Sequence, residues 1–492
     1  MKKYGFLFGA GAEAAYGLPS GGKFALDIFR QDTSDAKQNF KDMRDLVKST
    51  TLYANHWLPE NYKTKNISVF GKSIFQNIIA STVEHRKNQI IEKINAFDNI
   101  ARKFSNDNVE SAFKNILGDS VSNISLAQDV AYNDVFKNGN ELFKSNYFSA
   151  LLMLYRDRSD LAIREMLGHI LLAIMQLQLG ALSEEVASNI NDNLFAKKDD
   201  KIDFFDNFGK LIKLDYNAAG VSGLELLFDM HKDKNPISDE GVIVYFAQAI
   251  LEEIYASVLD YKTLIDANWH YLYTPSSDWA KFCKIAIFLL TVHDYITKKG
   301  TGVDKNNVGG YYNILRQALD NGRYEASVIA TTNYNNIIGE ILKPVEPIVY
   351  LNGSVSMWYD PYLNKIGTKD ELDDSEHHIL VPLLFTQSGT KPITSINMSE
   401  KYVDMYRAWK DSNAVVVVGF GFGADDEHIN GILRTLVNDD GKELKVVTLK
   451  EENGPTQNDI ANKLKAKDAN KIEVIIVDSN GTVKGTPWTE CI

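Results

Sequence analysis

Cysteine is nearly absent. Cys283 and Cys491 are the only two in 492 residues, too few and too far apart for a disulfide framework, and a four-cysteine zinc site is excluded. The nine histidines include no HExxH pair, and the adjacent His377 and His378 would point to opposite faces of a strand. No metal is expected, although a site held by carboxylates stays open. A basic surplus is also missing. With 53 basic against 65 acidic side chains the net charge is −12, without any Lys/Arg-rich run, which argues against nucleic acid as a principal partner. No long hydrophobic run is present either. The most apolar stretch, Leu161 to Leu179, is broken by Arg164, Glu165 and His169, so no membrane span is expected. The short apolar run at the N-terminus is interrupted by Glu13, which argues against a signal peptide. What remains is an acidic chain, 44% hydrophobic and long enough for two or three domains, and it reads as a soluble globular protein expected in the cytoplasm.

The stretch around which the chain is organised is Tyr4 to Phe24, YGFLFGAGAEAAYGLPSGGKF. Tyr4 to Phe8 has the continuous apolar pattern of a strand buried on both faces of a parallel sheet. Gly9 and Gly11 then permit a tight turn with uncovered backbone N–H groups. Ala12 to Ala15 can open a helix whose N-terminus attracts an anion. This is a phosphate cradle in outline, but the spacing is not G-x-G-x-x-G, and a glycine turn between strand and helix is more often a structural device.

From about Ala25 to Gly322 the apolar residues recur at helical steps, as in Leu161 to Met175, Val242 to Leu259 and Phe282 to Ile296. The polar segments Asn191 to Asp203 and Asp229 to Glu240 read as surface loops, and the aromatic and methionine positions read as core. After Gly322 short β-rich runs appear at Ala326 to Ala330, Ile348 to Leu351, Ile379 to Phe385, Ala414 to Val418, Leu444 to Leu449 and Ile472 to Val477. Helical patterns, Ser399 to Asp411 and His428 to Val437, lie between them. This alternation predicts an α/β fold, a doubly wound Rossmann-like parallel sheet. The lone N-terminal strand would join it, so residues 1–25 and 323–492 are read as one split domain and 26–322 as a large all-helical insertion.

Ligands in such a sheet sit at the carboxyl ends of the strands. Four polar groups qualify: the N-terminal glycine turn, Thr331 to Asn335 after SVIA, Asn352 to Ser354 after IVYL, and Gly419 to Glu427 after AVVVV. Asn333 carries both an amide donor and a carbonyl acceptor, suited to orienting a water or a sugar hydroxyl, and Thr331 and Thr332 can bond phosphate or ribose. Gly419, Gly421 and Gly423 would let a ligand approach the backbone. Asp425, Asp426 and Glu427 can either cap the next helix or accept bonds from ribose.

In this order GAGAEAAYGLPSGGKF, TTNYN, YLNGS, VPLLFTQSGTKP and MYRAWKDSNAVVVVGFGFGADDEHI resemble the sirtuin-like superfamily. The likeness is nearest to the bacterial sirtuin-like proteins of antiphage defence, which split NAD into nicotinamide and ADP-ribose. It covers residues 1 to about 25 and about 323 to 450. The resemblance implies NAD as substrate or ligand, with Gly9, Ala10, Gly11 and Glu13 against its phosphates and the adjoining ribose. Asn333 would stand beside the nicotinamide ribose, and Ser354, Gly419, Gly421 and Asp425 would hold the adenosine side. It also implies a homo-oligomer or a defence-system partner protein, with the helical insertion as the place for assembly or sensing.

Two positions depart from the family. Asn352 stands where a histidine base is usual, and Asn335 where an aspartate is usual. Asparagine takes up no proton near neutral pH, and general-base help is worth about 100- to 10,000-fold. Four accounts stay open: a natural variant with slow or absent turnover, a position altered to keep a toxic enzyme quiet, an inactive regulatory subunit that binds NAD or ADP-ribose, and a structural assembly subunit with a vestigial pocket. Candidate replacement bases are His377, His378 and His428, although a histidine in such a place is more often a packing or surface residue. The missing zinc ribbon argues against protein deacylation.

Overall fold

The computed structural model describes residues 1–19, 21–71, 73–75, 77–78, 86–125, 141–181, 236–256, 259, 262–342, 348–373, 375–384, 396–450 and 454–492. The chain forms two compact units, one of Met1–Ser20, Gln31–Phe70 and Lys262–Ile492 and the other of Gly21–Arg30 and Gly71–Tyr261. Among the described residues between 26 and 322 there are helices and no strand. The unit containing the sheet nevertheless takes in residues 31–70 and 262–322, so its limits differ from the expected boundaries at 25 and 323. The loop expected at Asn191 to Asp203 lies outside the described residues, as does most of that at Asp229 to Glu240, whose last two residues open a helix.

The sheet of the first unit is built from continuous apolar runs. Its strands are β1 (Lys3–Phe8), β2 (Glu325–Thr331), β3 (Ile348–Tyr350), β7 (Ala414–Val418), β8 (Glu443–Leu449) and β9 (Ile472–Val477), all parallel, in the spatial order β3-β2-β1-β7-β8-β9. Numbered among themselves the six run 3-2-1-4-5-6, an order compatible with a Rossmann-like fold, with the reversal of direction between β1 and β7. The N-terminal strand is therefore central, hydrogen-bonded on both sides.

Alternate residues of these strands feed two cores. Phe6, Phe8, Val416 and Val418 face one side, where they pack with α1 (Tyr311–Asp320) and α2 (Ile337–Leu342). Leu7, Val415 and Val417 face the other, among residues of α3 (Ile396–Lys410), α4 (Glu427–Asn438) and α5 (Gln457–Leu464). Full burial of each such side chain contributes about 1.5–3 kcal/mol. Gly5 is required here, because an added Cβ would lie 2.2 Å from Cδ1 of Trp409, whose Nε1 donates to the Val328 carbonyl at 3.1 Å.

One expected strand sits elsewhere. The run Ile379 to Phe385 supplies β6 (Val381–Leu384), which pairs antiparallel with β4 (Gly353–Asp360), itself paired with β5 (Lys365–Gly367). This makes a separate three-stranded sheet, order β5-β4-β6. The expected helix start at Ala12 is also corrected: Ala10–Tyr16 is a 3₁₀ helix closed by Gly17 at φ 74°.

The second unit is helical in its described part. The helix Asp239–Ala256 buries Val242, Ile243, Phe246, Ile250 and Ile254 and packs on Asp107–Leu117, Phe97–Phe104 and Arg164–Ala181. Gly22 lets the helix Gly21–Phe29 approach it, since a Cβ there would fall 1.7 Å from the Ala256 carbonyl oxygen. Among the described residues no helix is long and apolar enough to cross a membrane.

Candidate functional site

The carboxyl ends of β3, β2, β1 and β7 lie side by side, so the polar turns that follow them converge where the strand order reverses. The turn after β1 is locked to the turn after β7. The Gly9 and Gly11 N–H groups donate to the Val418 and Gly419 carbonyls at 2.9 and 2.8 Å, and the Ala12 N–H donates to the Gly9 carbonyl at 3.0 Å. These three amides are therefore not the uncovered phosphate donors that the glycine spacing suggested. Gly9, Gly11 and Gly419 are glycines because two backbones touch: a Cβ on Gly419, at φ 63°, would lie 2.2 Å from the Ala12 nitrogen. Gly421 and Gly423 differ. A Cβ on either meets no atom within 4 Å, so this part of the loop is open.

The threonines after β2 fasten their turn to β1. The Thr331 hydroxyl donates to the Phe8 carbonyl at 3.2 Å and accepts the Asn333 N–H at 3.0 Å, while the Thr332 N–H donates to the same carbonyl at 3.0 Å. Thr331 thus positions Asn333, and the Thr332 hydroxyl lies 3.5 Å from the Phe8 carbonyl.

Asn333 is held by its amide nitrogen, which donates to the Gly9 carbonyl at 3.1 Å and to the Tyr312 hydroxyl at 3.2 Å. A carbonyl only accepts, so the nitrogen must face Gly9, and Oδ1 is the atom that can accept from a ligand hydroxyl or a water.

Glu13 lies in this network and not on an open surface. It is 7% exposed, and its carboxylate accepts from the Tyr312 hydroxyl at 3.1 Å and from Nδ2 of Asn335. Burial pushes its pKa up to about 7, against the opposing pull of hydrogen bonds from Asn335, Tyr312 and Asn333. Asn335 has no spare polar atom, because its Oδ1 accepts the Ile337 N–H at 3.0 Å at the start of α2. An amide meets both demands at this position. An aspartate would set a second carboxylate against Glu13.

Asn352 is completely buried, and its Nδ2 donates to the Thr332 carbonyl at 3.2 Å, which joins the end of β3 to the Asn333 turn. Ser354 is buried in β4 with its hydroxyl 2.9 Å from that of Ser356, next to Val355, whose N–H donates to the Tyr334 carbonyl of the turn after β2 at 2.8 Å. Ala10 and Asp425 are exposed, Asp425 within the single 3₁₀ turn that precedes α4. The segment 385–392 of the VPLLFTQSGTKP motif lies outside the described residues.

The three candidate bases separate clearly. His377 is bonded to Asp373 at 3.0 Å, on a backbone with φ 58°. His378 is buried, with Nδ1 2.7 Å from Asp360 and its ring 4.2 Å from that of Tyr53. His428, in the first turn of α4, lies 6.1 Å from the ring of Tyr402, whose hydroxyl donates to the Leu351 carbonyl at 2.9 Å. Of the three it is the one linked to the strand end that carries Asn352.

No family model, no curated protein and no solved structure matches this chain. The site is therefore read from its own geometry. Tyr312 is the participant that sequence reasoning missed. It lies on α1, in a stretch whose aromatic residues read as core, and its ring does stack on Tyr16 at 5.2 Å and meet Phe8 edge-on at 5.1 Å. Nothing in its local sequence signals that the hydroxyl reaches Asn333.

Proposed function

We propose that this chain is a sirtuin-like NAD hydrolase that releases nicotinamide and ADP-ribose and acts in bacterial antiphage defence by depleting NAD. The observation that carries the reading is Asn333, anchored through its amide nitrogen to the Gly9 carbonyl, in the turn to which Asn352 is bonded, at the reversal point of a parallel sheet. In the reaction the bond between the ribose carbon and the nicotinamide nitrogen breaks, and its electron pair leaves with the neutral nicotinamide. A water oxygen bonds to the oxocarbenium-like carbon and gives up a proton. Asn333 Oδ1 would orient that water or a ribose hydroxyl, which is a contribution of position. With Asn352 in place the proton passes to solvent, and turnover is slow.

A second reading, an inactive subunit that binds NAD or ADP-ribose and regulates a homo-oligomer or partner protein, is favoured by the Asn352 amide itself, which supplies no base. Release of nicotinamide from NAD separates the two. Hydrolysis predicts slow release by the chain, faster by at least about 100-fold in Asn352→His, and abolished in that variant by Asn333→Ala. NAD binding without release by either the chain or Asn352→His would overturn the hydrolase reading and leave the regulatory one.

A further inference from the structure

The directions of the hydrogen bonds around Asn333 can be followed to their end. Asn333 Nδ2 donates to the Tyr312 hydroxyl, so the Tyr312 proton must go elsewhere, and the Glu13 carboxylate 3.1 Å away receives it. Asn335 Nδ2 donates to the other Glu13 oxygen. Every proton in this chain has an acceptor when Glu13 is ionised. A protonated Glu13 keeps one accepting oxygen, but its own proton would face Tyr312 or Asn335, both already donating toward it, so one of these bonds must turn away.

We propose that Tyr312 and Glu13 are positioning residues that fix the Asn333 amide with Oδ1 toward the ligand, and that this hold is fully matched only when Glu13 is ionised. The inference rests on the NAD reading for what the ligand is, but the hold itself is a property of the free protein. The titratable groups around Glu13 are Tyr16 on its own turn, Tyr312 on α1 and Tyr350 on β3, and Asn333 and Asn335 face it from the turn after β2. Burial raises the pKa of each tyrosine, that of Tyr350 to about 12, so all three stay neutral while Glu13 titrates. Glu13, with a pKa of about 7, changes charge at near-neutral pH.

The test is NMR of protein labelled with 15N-asparagine, with the Asn333 side-chain amide assigned by its loss in Asn333→Ala. The proposal expects that signal to move between pH 5.5 and 9 with a midpoint near 7, the movement to vanish in Glu13→Gln and to shrink in Tyr312→Phe. It also expects NAD affinity to rise across the same interval in the unaltered chain. Tyr312→Phe should weaken NAD binding about fivefold to tenfold, and Glu13→Gln should flatten the pH profile. Glu13→Gln keeps the size and packing of the side chain and carries the test if Tyr312→Phe fails to fold. An Asn333 signal that does not titrate, or that titrates equally in Glu13→Gln, overturns the proposal. A signal that titrates as expected but ignores added NAD supports the hold and overturns the NAD reading instead.

Discussion

The turn after β1 and the turn after β7 are both rich in glycine, yet a Cβ added at Gly9 would lie 2.5 Å from the Gly419 carbonyl oxygen, whereas one added at Gly421 or Gly423 meets nothing within 4 Å. Glycine in the first turn lets two pieces of backbone touch. Glycine in the later part of the second leaves the space a side chain would take open. A G-x-G pattern announces a missing side chain without saying what fills the space, and the neighbours decide whether it serves packing or a ligand.

The largest way to break this comparison is at the contact itself. Gly419→Val would force a β-branched residue into φ 63° and onto the Ala12 nitrogen. Its expected cost is about 4 kcal/mol, from strain and overpacking together. A urea melt showing less than a quarter of that loss would mean that the two turns are not locked together.

The next effect concerns the carboxyl group behind the locked turn. Folding raises the Glu13 pKa from 4.5 to about 7. The folded chain therefore keeps a proton that the unfolded chain has released. The resulting stabilisation is fully present below pH 4.5 and is lost as pH rises through about 7, an effect of up to about 3 kcal/mol. Glu13→Gln should remove this fall, so that urea midpoints of the variant and the parent diverge between pH 5 and 8 in favour of the variant. Parallel curves would contradict the burial of Glu13. The smallest effect is expected on the open side, where Gly421→Ala should shift stability by no more than about 0.5 kcal/mol.

What was legible in the sequence follows the same division between local and distant causes. Ala414–Val418 coincides with its apolar run, because a buried parallel strand needs little beyond continuous β-branched residues, and Ile472–Val477 does so as the edge strand, with Glu473 and Ile476 exposed. Gly353–Asp360, GSVSMWYD, has no such run, and its pairing with Val381–Leu384 in a second sheet depends on partners distant in sequence. The strand ends could be found from sequence, and with them Asn333 and Asn352. The fate of the Gly9 and Gly11 amides could not, since it is set by carbonyls some four hundred residues away. Nor could the reach of Tyr312, a residue whose ring is core and whose hydroxyl is not.

The most direct test of the account is ADP-ribose binding, by calorimetry, to the unaltered chain and to Gly421→Val. If the open glycine backbone is where the ligand lies, the chain binds ADP-ribose saturably, and the variant, folded and with an unchanged urea midpoint, binds at least about tenfold more weakly. Equal affinity in the two proteins, or no binding by either, would contradict it.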